Sequence, residues 1–463
     1  MHPALRLRTS LPKLPMTAPD APIPTMYTAQ RERFLADLRE RNLCAVIFTN
    51  TSKTRNHDCE YRFRPDSDFW YLTGFREPGS VLVLLPGREE GESILFLRPR
   101  VPAEETWTGL RLGVERAPEV VGVDEARPLE ELWPALGKLL RGYKGVVYRT
   151  GSEPERDGMM LRALGQLRAS VRGGVTAPEA VIDPATILHE RRLIKSPAEV
   201  DVIRRAAAVT ARAHTACMAL ARTAENESDL DACLISHFLG SRGAEAYNNI
   251  VAGGANACIL HYNDNDAPLR KGDLVLIDAG CELEHYASDV TRTFPVSGTF
   301  SPEQKAIYQL VLDAEKQAIE AVKPGAGFLD PHVISIGVLS RGLVELGLLK
   351  GSVDEVIESE SYTRFFMHKT GHWLGLDVHD CGTYAKDGAP RPFEPGMITT
   401  VEPGLYISPD DESVEARWRG IGVRIEDDIL VTADGNENLT ANIPKEVAEV
   451  EAAVLGEPGA ART

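Results

Sequence analysis

Leu274-Val275-Leu276-Ile277-Asp278-Ala279-Gly280 is an apolar run that ends in a carboxylate and a glycine, and eleven positions after Asp278 stands Asp289, in Ser288-Asp289-Val290-Thr291-Arg292. A short apolar run rich in branched side chains and closed by glycine reads as a buried strand. An aspartate at its end faces desolvation unless something pairs with it. Two antiparallel strands joined by a turn would bring Asp278 and Asp289 to one point. The bland alternative for either residue alone is a turn cap or an ion pair with a nearby arginine.

Three of the eleven histidines fall inside twelve residues, as His368, His372 and His379 within Met367-His368-Lys369-Thr370-Gly371-His372-Trp373-Leu374-Gly375-Leu376-Asp377-Val378-His379. A lone histidine is more often structural, but a cluster among glycines and apolar residues points to a site. Thr399-Thr400-Val401-Glu402-Pro403-Gly404 places a glutamate after a β-branched run and before a turn. Val423-Arg424-Ile425-Glu426 directs Arg424 and Glu426 to one face of a strand, where an Arg–Glu surface ladder is the alternative reading. Four carboxylates and one neutral imidazole carry roughly −4, which two divalent cations would balance; without cations, crowding would raise the carboxylate pKa values. Oxygen-rich ligation with one imidazole suits Mn²⁺, and also Co²⁺, Fe²⁺ or Zn²⁺. Two such ions about 3.5–4 Å apart support hydrolytic attack on a carbonyl. Other hydrolytic signatures are absent: there is no G-x-S-x-G, and the H-E-x-x-H pattern begun by His189-Glu190 ends at Leu193.

Working outward, helical periodicity runs from about Tyr27 toward Asn42, and strands are expected at Ala45–Phe48, Ser80–Leu85, Ile94–Leu97 and Val146–Tyr148. Helices near 129–141 and 155–169 alternate with them, giving an α/β domain over 27–172. Gly173-Gly174-Val175-Thr176-Ala177-Pro178 has linker composition, so a second domain is expected over 173–463. There Ser196-Pro197-Ala198-Glu199 carries the signature of a helix start. Further helices are expected near 227–242, 302–322 and 329–346, with strands near 247–251, 273–278 and 289–294. Helices and strands alternate without a strict βαβ beat, which favours a mixed or antiparallel sheet and an α+β class. Residues 1–26, with six prolines and no apolar core, read as a disordered extension rather than a targeting segment.

The chain carries 51 Lys+Arg against 68 Asp+Glu, a formal charge of −17, which disfavours nucleic acid and anionic membranes as partners. Seven scattered cysteines without a C-x-x-C spacing suggest reduced thiols and a cytoplasmic location.

In order and spacing these residues resemble the pita-bread metallopeptidases, the fold of methionine aminopeptidase, prolidase and aminopeptidase P. The resemblance spans about residues 30–445. It implies that Asp278, Asp289, His372, Glu402 and Glu426 hold two metal ions, with Asp289 and Glu426 bridging and Glu402 also the general base. His261 (in Ile259-Leu260-His261-Tyr262) and His379 match histidines that contact the substrate carbonyl and leaving group; His368 and Arg424 match supporting residues. Thr54–Tyr61 and Asp66–Phe75 look like the amino domain of bacterial aminopeptidase P, which is creatinase-like and absent from methionine aminopeptidases. Creatinase itself lacks the ligand set. The resemblance further implies cleavage of the bond before a proline in second position, and a homo-oligomer, a tetramer, in which Asp58 and Trp107 reach a neighbour's site. The alternatives are a dipeptide-only prolidase and a non-catalytic peptide-binding protein on the same fold.

Overall fold

The computed structural model describes residues 23–456. Residues 1–22 of the extension expected over 1–26 lie outside them, whereas the Ile23 N–H donates to the Val120 carbonyl at 2.9 Å and Thr25 and Met26 open the helix Thr25–Glu40. Contacts divide the chain into two units, one ending at Arg192 and the other beginning at Leu193.

The first unit is built on a six-stranded sheet, ordered Glu125–Pro128, Ser93–Leu97, Val81–Leu84, Leu43–Phe48, Gly145–Val147, Ala180–Ile182. Val81–Leu84 runs antiparallel to both neighbours, and the other pairings are parallel. The central strands Val81–Leu84 and Ser93–Leu97 are buried at every residue, as expected when both faces are covered. Helices Leu132–Leu139 and Pro154–Ala169 cover one face through Leu136, Met160 and Leu164, which pack on Val46, Val83 and Phe96. Helix Thr25–Glu40 packs on strand Leu43–Phe48, and helix Ser67–Thr73 on Leu43–Phe48 and Val81–Leu84. The second of these helices was not anticipated from periodicity, because it is short and buried all round. Asp66 caps it by accepting from the Asp68 and Phe69 N–H groups, and Gly74 ends it in the left-handed conformation.

The boundary expected at 172/173 is displaced. Gly173 and Gly174 end a helix and a short turn, and the chain then adds Ala180–Ile182 parallel to Gly145–Val147. A strand that completes a ladder belongs with that ladder, so the second unit starts at Leu193.

The second unit opens with helix Pro197–Leu220, where Ser196 and Glu199 form a reciprocal capping box. Helix Glu227–Gly240 follows, then the antiparallel sheet Ile250–Gly253, Leu274–Asp278, Thr291–Pro295. After helices Pro302–Ala321 and Asp330–Glu345 come the antiparallel sheet Ile398–Val401, Asp427–Val431, Asn436–Asn438 and the pair Gly404–Tyr406, Gly422–Arg424. One large core joins these helices to the strands, with Phe238, Val275, Phe294, Leu312 and Val423 fully buried. Inside it the Arg292 guanidinium is completely buried and donates to Asp427 at 2.6 Å and to the Glu426 carbonyl at 2.7 Å. That ties the strand after Arg424 to the strand after Asp289. Among the described residues, no helix is long and apolar enough to cross a membrane.

Candidate metal centre and active site

Close backbone approaches in the second unit bring distant carboxylates together. Asp278 ends its strand opposite Thr291. The chain then returns so tightly that a Cβ on Gly280 would lie 1.7 Å from the Ser288 carbonyl oxygen. Only glycine permits that approach, and it sets Asp289 beside Asp278. Gly371 does the same work elsewhere, since a Cβ there would lie 2.1 Å from the Thr400 carbonyl oxygen. The Thr400 and Glu402 N–H groups donate to the His372 and Thr370 carbonyls at 2.9 and 2.8 Å, so His372 and Glu402 ride on paired segments. Glu426 is placed by its own N–H, which donates to the Thr291 carbonyl at 3.1 Å.

All nine residues singled out as catalytic or metal-binding line one cavity of about 590 Å³: His261, Asp278, Asp289, His368, His372, His379, Glu402, Arg424 and Glu426. Ligand atoms of Asp289, His372 and Glu426 lie within 4.8 Å of one another. His372 Nε2 is 3.3 Å from Asp289 and 3.9 Å from Glu402. Its Nδ1 donates to the Trp373 carbonyl at 3.0 Å, which fixes the ring and turns Nε2 toward the carboxylates. Arg424 donates to Asp278 at 2.6 Å, to the Thr291 hydroxyl at 3.0 Å and to the Tyr406 hydroxyl at 2.9 Å. His368 Nε2 bonds the same Tyr406 hydroxyl at 2.8 Å. The His379 ring stands edge-on to His372, 4.3 Å between centroids.

The electrostatics are those of a cation site. Burial, then Asp289, Glu402 and Asp278, pushes the Glu426 carboxyl well above its ordinary range. Glu402 is pushed up to about 7, by burial first and by Asp289 and Asp278 against the opposing His372 and Arg424 charges. His372 is raised to about 9 despite its burial, because Asp289 and Glu402 draw a proton onto it. Protons thus gather where divalent ions would be held, and the donor set of four carboxylates and one oriented imidazole fits such ions. His368, by contrast, is lowered to about 4 by burial and Arg424, and burial and His372 lower His379 as well.

Some participants had no signature in the sequence. The Tyr247 hydroxyl lies between two ligand candidates, 2.6 Å from Asp278 Oδ1 and in contact with Asp289 Oδ1. Thr291 donates to Glu426 at 2.7 Å, and Asp428 accepts from the Asp289 N–H at 3.1 Å. In the Gly422–Asp428 stretch Glu426, the residue singled out from the sequence, lines the cavity, whereas Asp428 was not singled out. Asp58 and Trp107 lie in the first unit, Asp58 in the exposed turn between Thr54–Asn56 and Cys59–Glu60, and Trp107 on helix Pro102–Thr108 with 88% of its surface exposed.

Residues 201–433 match the model of metallopeptidase family M24, and residues 27–148 that of the aminopeptidase P N-terminal domain. The Xaa-Pro aminopeptidase of Haemophilus influenzae is 46% identical over 92% of this chain and 96% of its own length. That of Escherichia coli is likewise 46% identical, over 92% and 97%. The solved structure of Pseudomonas aeruginosa aminopeptidase PepP is 47% identical and superposes with a TM-score of 0.91, covering 94% of this chain and 99% of that one. The two matches fall on the two units separately, and the cavity lies wholly in the unit matched as a peptidase. The chain therefore belongs to metallopeptidase family M24, with an aminopeptidase P amino domain ahead of a pita-bread catalytic domain.

Proposed function

We propose that this protein is an Xaa-Pro aminopeptidase, which hydrolyses the bond between an N-terminal residue and a following proline using two divalent metal ions. The observation that carries the reading is the convergence of Asp289, His372 and Glu426 within 4.8 Å, with Asp278 and Glu402 in the same cavity. These five residues would hold the ions, with Mn²⁺ favoured over Co²⁺, Fe²⁺ or Zn²⁺ by the oxygen-rich donors. When bound, the ions supply Lewis acidity toward the scissile carbonyl and toward water.

The protein's own groups do the rest. The substrate's free α-amine is a cation and is drawn to this acidic cavity floor. Glu402 takes up the proton released by water, as a general base. An X-Pro bond leaves a ring nitrogen that has no N–H, so its departure needs a proton donor. His379 and His261 share the contacts to the carbonyl oxygen and that nitrogen. His379, held toward its neutral form by burial and by His372, donates an N–H hydrogen bond, and the proton taken up by Glu402 passes to the departing ring nitrogen. His368 and Arg424 hold Tyr406, and Arg424 orients Asp278. We also propose a homo-tetramer in the cytoplasm: exposed Trp107 and Asp58 support the assembly, and seven scattered cysteines without a C-x-x-C spacing support the location.

The test is a substrate series on the metal-loaded protein. X-Pro-Y peptides should show higher kcat/KM than the matching X-Pro dipeptides, and X-Ala-Y peptides should resist cleavage. Preference for the dipeptide would make the enzyme a prolidase, and equal cleavage of X-Ala-Y would remove the proline specificity. Sedimentation of a fully active monomer would remove the tetramer.

A further inference from the structure

His261 is exposed on the cavity wall, and among the described residues its ring makes no hydrogen bond to the protein. Where it sits is therefore decided by its backbone. That backbone is the irregular loop of residues 254–267, in which a short 3-10 turn, Gly254–Cys258, is the one regular element.

The loop is gathered at its base by a single carboxylate from another element. Glu227 is the first residue of helix Glu227–Gly240 and is fully buried. One oxygen accepts from the Gly253 N–H at 2.7 Å and from the Asn256 amide at 2.9 Å. The other accepts from the Tyr262 hydroxyl at 2.8 Å and from the Ala267 N–H at 2.9 Å. The donors come from both ends of the loop and from the residue next to His261. Four donors fill the carboxylate's acceptor capacity, and charge-assisted bonds of this kind are the strong ones. The helix N-terminus further favours an anion at this point. Backbone bonds reinforce the junction: the Glu227 N–H donates to the Ala267 carbonyl and the Leu269 N–H to the Glu225 carbonyl, both at 2.9 Å. Within the loop Asn265 adds a neutral tie, accepting from the Val251 N–H at 2.9 Å and donating to the Asn249 carbonyl at 2.8 Å.

We infer that Glu227 is a positioning residue that sets His261 against the substrate by clamping both ends of its loop. This rests on the reading of His261 as a group that touches substrate. A glutamine at 227 keeps the shape but turns one acceptor into a donor. Its amide nitrogen must then face either Tyr262 and Ala267 or Gly253 and Asn256, all of them donors. One side of the clamp opens.

A double-mutant cycle on the metal-loaded enzyme, read together with amide hydrogen exchange, tests this. Glu227→Gln should lower kcat by about tenfold or more at full metal content, and it should raise exchange across residues 254–267. In the His261→Ala background, Glu227→Gln should change kcat by less than about twofold, since the group it positions is already gone. Tyr262→Phe removes one donor with little risk to folding and should show a smaller loss with the same non-additivity. A folded, metal-replete Glu227→Gln enzyme with wild-type kcat would overturn the inference. Losses that multiply in the double variant would also overturn it, because they would mark Glu227 as a general structural residue. A normal rate for His261→Ala would sink it together with the role given to His261, whereas unchanged exchange across 254–267 in Glu227→Gln would sink the clamp alone.

Discussion

Replacing Gly280 with alanine should disable the metal centre without touching any ligand. The added Cβ would lie 1.7 Å from the Ser288 carbonyl oxygen, against a closest tolerated approach of 3.0 Å, so the two strands must separate by at least 1.3 Å. The shift falls on Ser288, immediately before Asp289, and strains two bonds at the junction, Ala279 N–H to the Val290 carbonyl at 3.0 Å and Ser288 N–H to the Cys281 carbonyl at 3.1 Å. Losing both costs about 2 kcal/mol, and forced overpacking adds about 1–3 kcal/mol. A displacement of about 1 Å in a catalytic constellation lowers rate by about 10²-fold. Gly280→Ala should therefore lower Tm by several degrees, weaken metal binding in a calorimetric titration, and reduce kcat at saturating metal by about 10²-fold or more. Gly337→Ala is the control. Gly337 lies inside helix Asp330–Glu345 with nothing within 4 Å of a new Cβ, so alanine should stabilise by about 0.5–1 kcal/mol and leave turnover unchanged. Wild-type metal affinity and turnover in Gly280→Ala would refute the claim that this close approach assembles the site.

Chelation should inactivate the enzyme and lower its Tm, with Mn²⁺ or Co²⁺ restoring both; full turnover by a preparation shown metal-free by elemental analysis would count against the mechanism. His379→Ala should lower kcat by about 10²–10⁴-fold with metal still bound, as checked by elemental analysis beside steady-state kinetics. In the first unit Asp68 is buried and bonds Arg192 and Arg149 at 2.7 Å and His189 at 3.1 Å. These partners outweigh burial and hold its carboxyl far below the ordinary 3.8. Its folded pKa is depressed, so the stabilisation is present above the unfolded value and is lost as pH falls below it. Asp68→Asn should cost about 3–5 kcal/mol in urea unfolding at pH 7, and the gap to wild type should narrow as the pH drops below about 4. A gap that stays constant down to pH 2 would be inconsistent with the ionised pair.

Local chemistry makes much of this protein legible in its sequence. Ser196-Pro197-Ala198-Glu199 opens a capped helix because its signal lies within four residues. Helices expected near 302–322 and 329–346 are observed at Pro302–Ala321 and Asp330–Glu345, where amphipathic spacing extends over several turns. The order and spacing of acidic residues and histidines pointed to one centre, since four carboxylates in apolar or glycine-rich settings have few other reasons to be there. What remained hidden depends on partners far along the chain. Ala180–Ile182 is a strand of the first unit because Gly145–Val147 offers it an edge, which no local pattern announces. Tyr247 and Glu227 carry no special spacing; they matter because the fold brings one between Asp278 and Asp289 and the other beneath the His261 loop. Residue type and period are properties of neighbours in sequence, so the sequence alone determined the long capped helices, the apolar strands and the chemistry they carry. Hydrogen-bond partnership is a property of neighbours in space, and only tertiary packing decided how that chemistry is oriented.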